Sequence, residues 1–394
     1  MAKSTEMAEM KQLPQPPVAT PAELLPPVVL VHGFGGWSRS ELGGKLWYWG
    51  AHSDLASKIM ELQPGRRVFT AAVGPFSSAW DRACELYSQI KGGRTDYGAA
   101  HAARHGHAQF GRESGQDFAG LYPEWDATHP VHMIGHSFGG TTCRALVQLL
   151  TDGGAGMGEE DHLFGGGTCA SWVLSVTTVA TPHDGTPLVS VLDSWMGTIF
   201  ASLGMAAGVA GAADTGASGY DFKLDQWGIE PRRKEEGWAA YSARVRAASL
   251  WKDHKQNRDL IHHDLSLEGA AEVNAWVRDS PLVRYFSYQT CSSSPDPFSS
   301  IGNELPHLST NPMFVATGLV LGRIDEKASG RRPGVGREWR RNDGLVSCRS
   351  QRAPTLEIHL PSSPTSSHDP PASNVSPVLS VNLPVDGVGE RERK

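Results

Sequence analysis

The stretch Val131-His132-Met133-Ile134-Gly135-His136-Ser137-Phe138-Gly139 decides the fold. Its first four residues form a short apolar run of the buried-strand type, and Leu146, Leu149 and Leu150 beyond it recur on one helical face. Between strand and helix stands Gly-x-Ser-x-Gly at 135–139. A serine on a strained turn at that junction projects its hydroxyl above a sheet. Small residues two before and two after it let strand and helix approach closely. The same pentapeptide also occurs in ordinary glycine-rich turns, so the flanking strand and helix carry the weight of the assignment.

Outward from this turn, the chain alternates strand and helix patterns. Pro27 to Val31 is a short apolar run, Leu55, Ile59 and Leu62 recur at helical spacing, and Arg67 to Val73 is β-rich. Ala83, Leu86 and Ile90 mark another helix, Trp172 to Val179 another apolar strand, and Val283 to Tyr288 a later β-rich stretch. Continuously apolar strands alternating with helices predict a mostly parallel sheet flanked by helices, the α/β-hydrolase class. Insertions interrupt the pattern at about 91–127 and 192–260, with helical patterns at about 235–250 and 267–279. Residues 1–25 are expected to be a disordered tail, 26–350 the domain, and 351–394 a Ser/Pro-rich tail of low order.

Composition narrows the function. A chain of 394 residues with net charge −6 and no basic tract is not built for a nucleic-acid or anionic-membrane partner. Five irregularly spaced cysteines do not read as a disulfide framework, and small buried thiols are expected. The polar, proline-rich stretch from Met1 to Pro27 lacks the apolar core of a secretion leader. The sequence as given therefore favours the cytoplasm, and secretion if a leader is missing. From Trp195 to Ala213 no residue is charged, yet the stretch is Gly- and Ala-rich, which suits a mobile flap or buried helix better than a membrane span. Nothing in the sequence sets an oligomeric state.

His32-Gly33-Phe34-Gly35, just after the first strand, is a second loop of catalytic type. It can offer the Phe34 amide to a developing oxyanion, alongside the amide of Phe138, the residue after the serine. An acid is required downstream, and Asn342-Asp343-Gly344 is a turn where a carboxylate fits, although this tripeptide is also common in plain turns. The histidines His101, His105 and His107 cluster, which alone is more often a solvated surface than a metal site.

Together these residues resemble the secreted triacylglycerol lipases of staphylococci and thermophilic Bacillus and Geobacillus species. The likeness runs over about residues 26–347. It includes Trp80-Asp81-Arg82-Ala83-Cys84-Glu85, Asp96-Tyr97-Gly98-Ala99-Ala100-His101, Thr181-Pro182-His183-Asp184-Gly185-Thr186 and Tyr220-Asp221-Phe222-Lys223-Leu224-Asp225-Gln226-Trp227-Gly228. The resemblance implies a lipase or carboxylesterase acting on lipid esters at an oil–water interface, with Ser137 as nucleophile and Asp343 as triad acid. It also implies a structural zinc held by Asp81, His101, His107 and Asp259, with His105, His262 and Asp264 as rival ligands. Trp195–Ala213 takes the place of the family's lid helix.

Two features depart from the family. Phe138 stands where the family usually has Gln, which leaves the backbone amide unaffected. The Asp-His-Leu-Glu context of the catalytic histidine is absent, and beyond Asp343 only His359 and His368 remain. His368 is taken as the base with His359 as its rival, and calcium, whose ligands follow that motif, is not carried over. An altered reading frame after Val346 is one explanation of the missing motif. The other is a scaffold that has lost catalysis and binds a lipid or protein partner. An acyltransferase is a third reading.

Overall fold

The computed structural model describes residues 25–354 and 379–382, save 40, 52, 112–118, 160–162, 166–168, 192–219, 231–232, 234, 252–256, 309 and 326–334. The uncharged stretch Trp195–Ala213 and the histidines His359 and His368 lie outside the described residues.

Strands β1 (Val28–Val31), β2 (Val68–Ala71), β3 (Val131–His136), β4 (Val173–Val179) and β5 (Arg284–Gln289) form the sheet anticipated from the apolar runs. A short antiparallel pair, β6 (Ser293–Pro295) and β7 (Glu304–Pro306), stands apart from it. The sheet order is β2-β1-β3-β4-β5, extended at the β5 edge by β8 (Leu379–Asn382), and every pairing is parallel. Strand β8 lies within the stretch 351–394 that reads in the sequence as a Ser/Pro-rich tail of low order. Its signal was the alternation Leu379-Ser380-Val381-Asn382, easily lost beside the proline-rich stretch before it.

Helices α1 (Leu55–Leu62), α2 (Ala79–Lys91), α3 (Ala99–His105) and α4 (Phe138–Asp152) cover and extend this sheet. Val29 and Val31 pack in the core with Ala83, Leu86 and Leu146 from α2 and α4, whereas Val28 and Leu30 pack with Ala56 of α1. Period-two side-chain direction therefore gives β1 two covered faces, which is why it reads as an unbroken apolar run. Ser78 starts α2 by accepting the Asp81 amide at 3.2 Å, and Gly153, at φ +64°, ends α4. No helix among the described residues is long and apolar enough to cross a membrane.

Candidate active site and metal cluster

Ser137 sits between β3 and α4 with φ 53° and ψ −132°. For a non-glycine residue this is a strained conformation costing on the order of 1–3 kcal/mol, held by its surroundings. Those surroundings are visible. The Ser137 amide donates to Val179 O at 2.8 Å, and the Thr181 hydroxyl donates to Ser137 O at 2.8 Å. A Cβ at Gly135 would lie 2.4 Å from backbone atoms of Gly139 and Gly140, and one at Gly139 would lie 2.1 Å from Val31 O. The two glycines of the pentapeptide are thus required by backbone approach.

The His32–Gly36 loop lies directly over the serine, since a Cβ at Gly33 would be 2.6 Å from Ser137 Cβ and 3.0 Å from its Oγ. Neither the Phe34 nor the Phe138 amide has a protein acceptor among the described residues. Phe138 also opens α4, so the positive end of that helix faces the same space. This arrangement can stabilise an oxyanion next to the serine hydroxyl.

Two supports of this loop escaped the sequence reading. Tyr48 Oη accepts the Gly33 amide at 2.9 Å and therefore directs its own proton to His136 Nδ1 at 2.5 Å. Burial pushes His136 down to about 4, so the ring is the neutral acceptor this relay needs. Arg82, fully buried in α2, donates to His32 O, to Gly74 O at 2.6 Å and to Thr142 Oγ1 at 2.8 Å. Thr142 in turn donates to Phe138 O at 3.1 Å, so one guanidinium ties the loop to the start of α4. Lone tyrosines and arginines carry no sequence signal of such a role.

Asp343 lies past β5 at the same rim of the sheet. Its Oδ1 accepts the amides of Leu345 at 3.0 Å and Val346 at 2.8 Å; Oδ2 accepts Thr290 Oγ1 at 2.8 Å and Gln351 Nε2 at 3.0 Å. Burial raises its pKa, and the amides and the Thr290 hydroxyl oppose that rise. Ser137 follows β3 and Thr290 follows β5, with β4 between, so the rim positions are two strand spacings apart, roughly 10 Å. Among the described residues no histidine hydrogen-bonds the Ser137 hydroxyl.

The second constellation is the four-residue cluster Asp81, His101, His107 and Asp259, whose ligand atoms lie within 4.8 Å of one another. His101 Nε2 is 3.2 Å from both Asp81 Oδ1 and Asp259 Oδ1, and His107 Nε2 is 3.1 Å from Asp259 Oδ2 and 3.9 Å from Asp81 Oδ1. Ligands at about 2.0–2.1 Å in a tetrahedron stand roughly 3.3 Å apart, so the spacing fits a small cation. Asp81 Oδ1, His101 Nε2, His107 Nε2 and Asp259 Oδ2 are all buried without a hydrogen-bond partner. Four converging orphans of this kind are costly unless something binds them.

Their supports are in place. His107 Nδ1 lies 2.8 Å from Ala108 O, which turns Nε2 inward, and Gln226 Nε2 donates to Asp81 Oδ2 at 2.8 Å. Trp80 stacks on His101 with centroids 4.9 Å apart. Burial alone would lower His101, but Asp259 and Asp81 outweigh it and bring it up to about 10, the field a cation would meet. The rivals fall outside the cluster. Asp264 instead accepts the Ala79 amide at 2.6 Å, while the His105 ring lies tilted beside His101 at 4.5 Å between centroids.

A parallel sheet, a strained serine between strand and helix, and a glycine loop above it define an α/β-hydrolase. The lipase-like C-terminal domain family matches residues 25–386, so the chain belongs to that family. This extends past residue 347, where the recognisable motifs end. The chain is 35% identical over 338 residues to a lipase of Staphylococcus epidermidis and 34% identical to lipase 1 of Staphylococcus aureus, 83% of the chain being covered in each case. It spans about half the length of these relatives, 45% and 46%. Among solved structures it is similar to Staphylococcus hyicus lipase, with TM-score 0.68, 30% identity, and 84% of this chain and 80% of that one covered. Lipase 1 of Pelosinus fermentans gives TM-score 0.62 and 39% identity, with 84% of each chain covered.

Proposed function

We propose that the protein is a lipase or carboxylesterase that hydrolyses lipid esters through Ser137. The strained Ser137 beneath the Gly33 loop is the observation that carries this reading. The similarity to staphylococcal and Pelosinus lipases favours it over a catalytically silent scaffold. Ser137 Oγ attacks the ester carbonyl while a histidine takes its proton, and the amides of Phe34 and Phe138 receive the negative charge on the carbonyl oxygen. The histidine then protonates the departing alcohol, and water releases the acyl group from Ser137 by the same steps in reverse. Asp343 orients that histidine. His368 is proposed as this base, with His359 as rival; both precede β8 in the chain, and residues 383–394 contain none. The uncharged stretch Trp195–Ala213 is proposed to act as a lid over the acyl site.

Asp81, His101, His107 and Asp259 would hold zinc. Four protein ligands leave no open position, so the ion's part would be structural, anchoring α2 and α3. Hydrolysis of p-nitrophenyl butyrate and tributyrin, with fluorophosphonate labelling, tests the proposal. Loss of label and turnover in Ser137→Ala is expected. A Ser137→Ala variant as active as the parent would overturn it. Comparing His368→Ala with His359→Ala identifies the base.

A further inference from the structure

Next to the Asp343 turn two cysteines meet that ester hydrolysis does not use. Cys291 follows Thr290 just past β5, and Cys348 lies on the return arm of the turn, beyond the bridge pairing Asn342 with Ser347. The Ser292 amide donates to Asn342 O at 2.9 Å and the Cys348 amide to Arg341 O at 2.7 Å, holding the two segments side by side. The Cys348 thiol donates to Thr290 O at 3.4 Å, the carbonyl joined to Cys291, so both thiols lie at the same corner of the turn, and the Cys291 thiol reaches Ser293 O at 3.6 Å. Arg341 Nε donates to Cys291 Sγ at 3.2 Å. Cys291 is half-buried and Cys348 buried, and both are free thiols.

The neighbouring Cys348 thiol, with Ser293 and Arg341, outweighs burial and brings Cys291 down to about 5, while the Cys291 neighbour and burial push Cys348 up. With the Arg341 guanidinium on its sulfur, Cys291 is the better placed of the two to carry negative charge. The other three thiols differ. Burial raises Cys84, Cys143 and Cys169. A partly exposed thiolate beside a cation and a second thiol is the environment of a reactive cysteine with its resolving partner.

We propose that Cys291 and Cys348 are a peroxide-sensitive dithiol that closes to a disulfide across the Asp343 turn. The Cys291 thiolate attacks one oxygen of hydrogen peroxide, the O–O bond breaks, and hydroxide leaves, giving a sulfenic acid. Cys348 sulfur then attacks the sulfenic sulfur; the S–O bond breaks and the hydroxyl departs with the Cys348 proton as water. Two thiols lose two electrons, and the peroxide is reduced to two waters. The bridge would enclose residues 292–347, with Asp343 and its Thr290 partner at its neck. This inference stands whether or not the chain hydrolyses esters.

The test uses the full chain, stoichiometric peroxide, alkylation of remaining thiols, and peptide mass spectrometry. Expected is one Cys291–Cys348 cross-linked peptide pair, two hydrogens lighter, reversed by a phosphine reductant, with Cys84 and Cys143 still alkylated after denaturation. Cys348→Ser should trap the sulfenic acid at Cys291 as a dimedone adduct. Arg341→Met should move the midpoint of the pH profile of Cys291 alkylation upward by roughly one unit. Five unlinked thiols, or first oxidation at Cys169, would overturn the proposal. The wild-type measurement decides this even if a variant fails to fold.

Discussion

Replacing Arg82 with methionine is the most informative perturbation of the site. The side chain is fully buried, and its three acceptors, His32 O, Gly74 O and Thr142 Oγ1, belong to uncharged groups. Methionine fills comparable space with no donors. Two buried carbonyls then lose a charge-assisted partner, at about 1–3 kcal/mol each. Part of that is offset, because burial already disfavours the cation and holds Arg82 down at about 10. The net expectation is a loss of about 2–4 kcal/mol, read as a lower urea midpoint with an unchanged slope. The kinetic signature separates support of the oxyanion loop from general stability. Losing one oxyanion donor costs about 10²–10³-fold in kcat, so a loop freed at His32 should lower kcat by about 10²-fold with little change in KM. An Arg82→Met protein with the parental midpoint and kcat would refute the view that this guanidinium holds the loop.

Metal analysis should find one zinc per chain, and chelation should lower the melting temperature. An ion present at a thousand times its Kd adds about 4 kcal/mol, so identical melting curves with and without chelator would exclude a structural metal. Gly139→Ala places a methyl 2.1 Å from Val31 O, with only backbone around it, and should cost about 3 kcal/mol or more or abolish soluble expression. His136 is held neutral, with a folded pKa below its unfolded value. Its contribution is therefore complete above about pH 6.5 and is lost as pH falls toward about 4. At pH 5 the loss is roughly 2 kcal/mol, and His136→Gln should flatten the urea midpoint between pH 7.5 and 5. An unchanged pH slope in that variant would remove His136 as the titrating group.

The elements legible in the sequence were those whose signal is local. Val28–Val31 is buried on both faces, Val131–His136 and Val173–Val179 are buried on one face and half-buried on much of the other, and Gly135, Ser137 and Gly139 are fixed by one backbone turn. The four residues of the Asp–His cluster come from separate segments near residues 81, 101–107 and 259, so spacing alone could not join them. The resemblance supplied that grouping. Tyr48 and Arg82 stayed hidden for a different reason. Their roles depend on which carbonyl or amide lies opposite, and that is set only when β1, β3, α2 and α4 are packed. Strand β8 was masked by the proline and serine residues that precede it.

Asp81 and Arg82 are consecutive residues of α2, one in the metal cluster and the next on the oxyanion loop. Linkage between two such sites is reciprocal by thermodynamic necessity. If zinc steadies the loop through this turn of helix, a phosphonate ester bonded to Ser137 must tighten the grip on zinc by the same factor. At equilibrium a chelator would then need a higher concentration to strip the ion from the inhibited protein. The four ligands would report, from a distance, whether the active site is occupied.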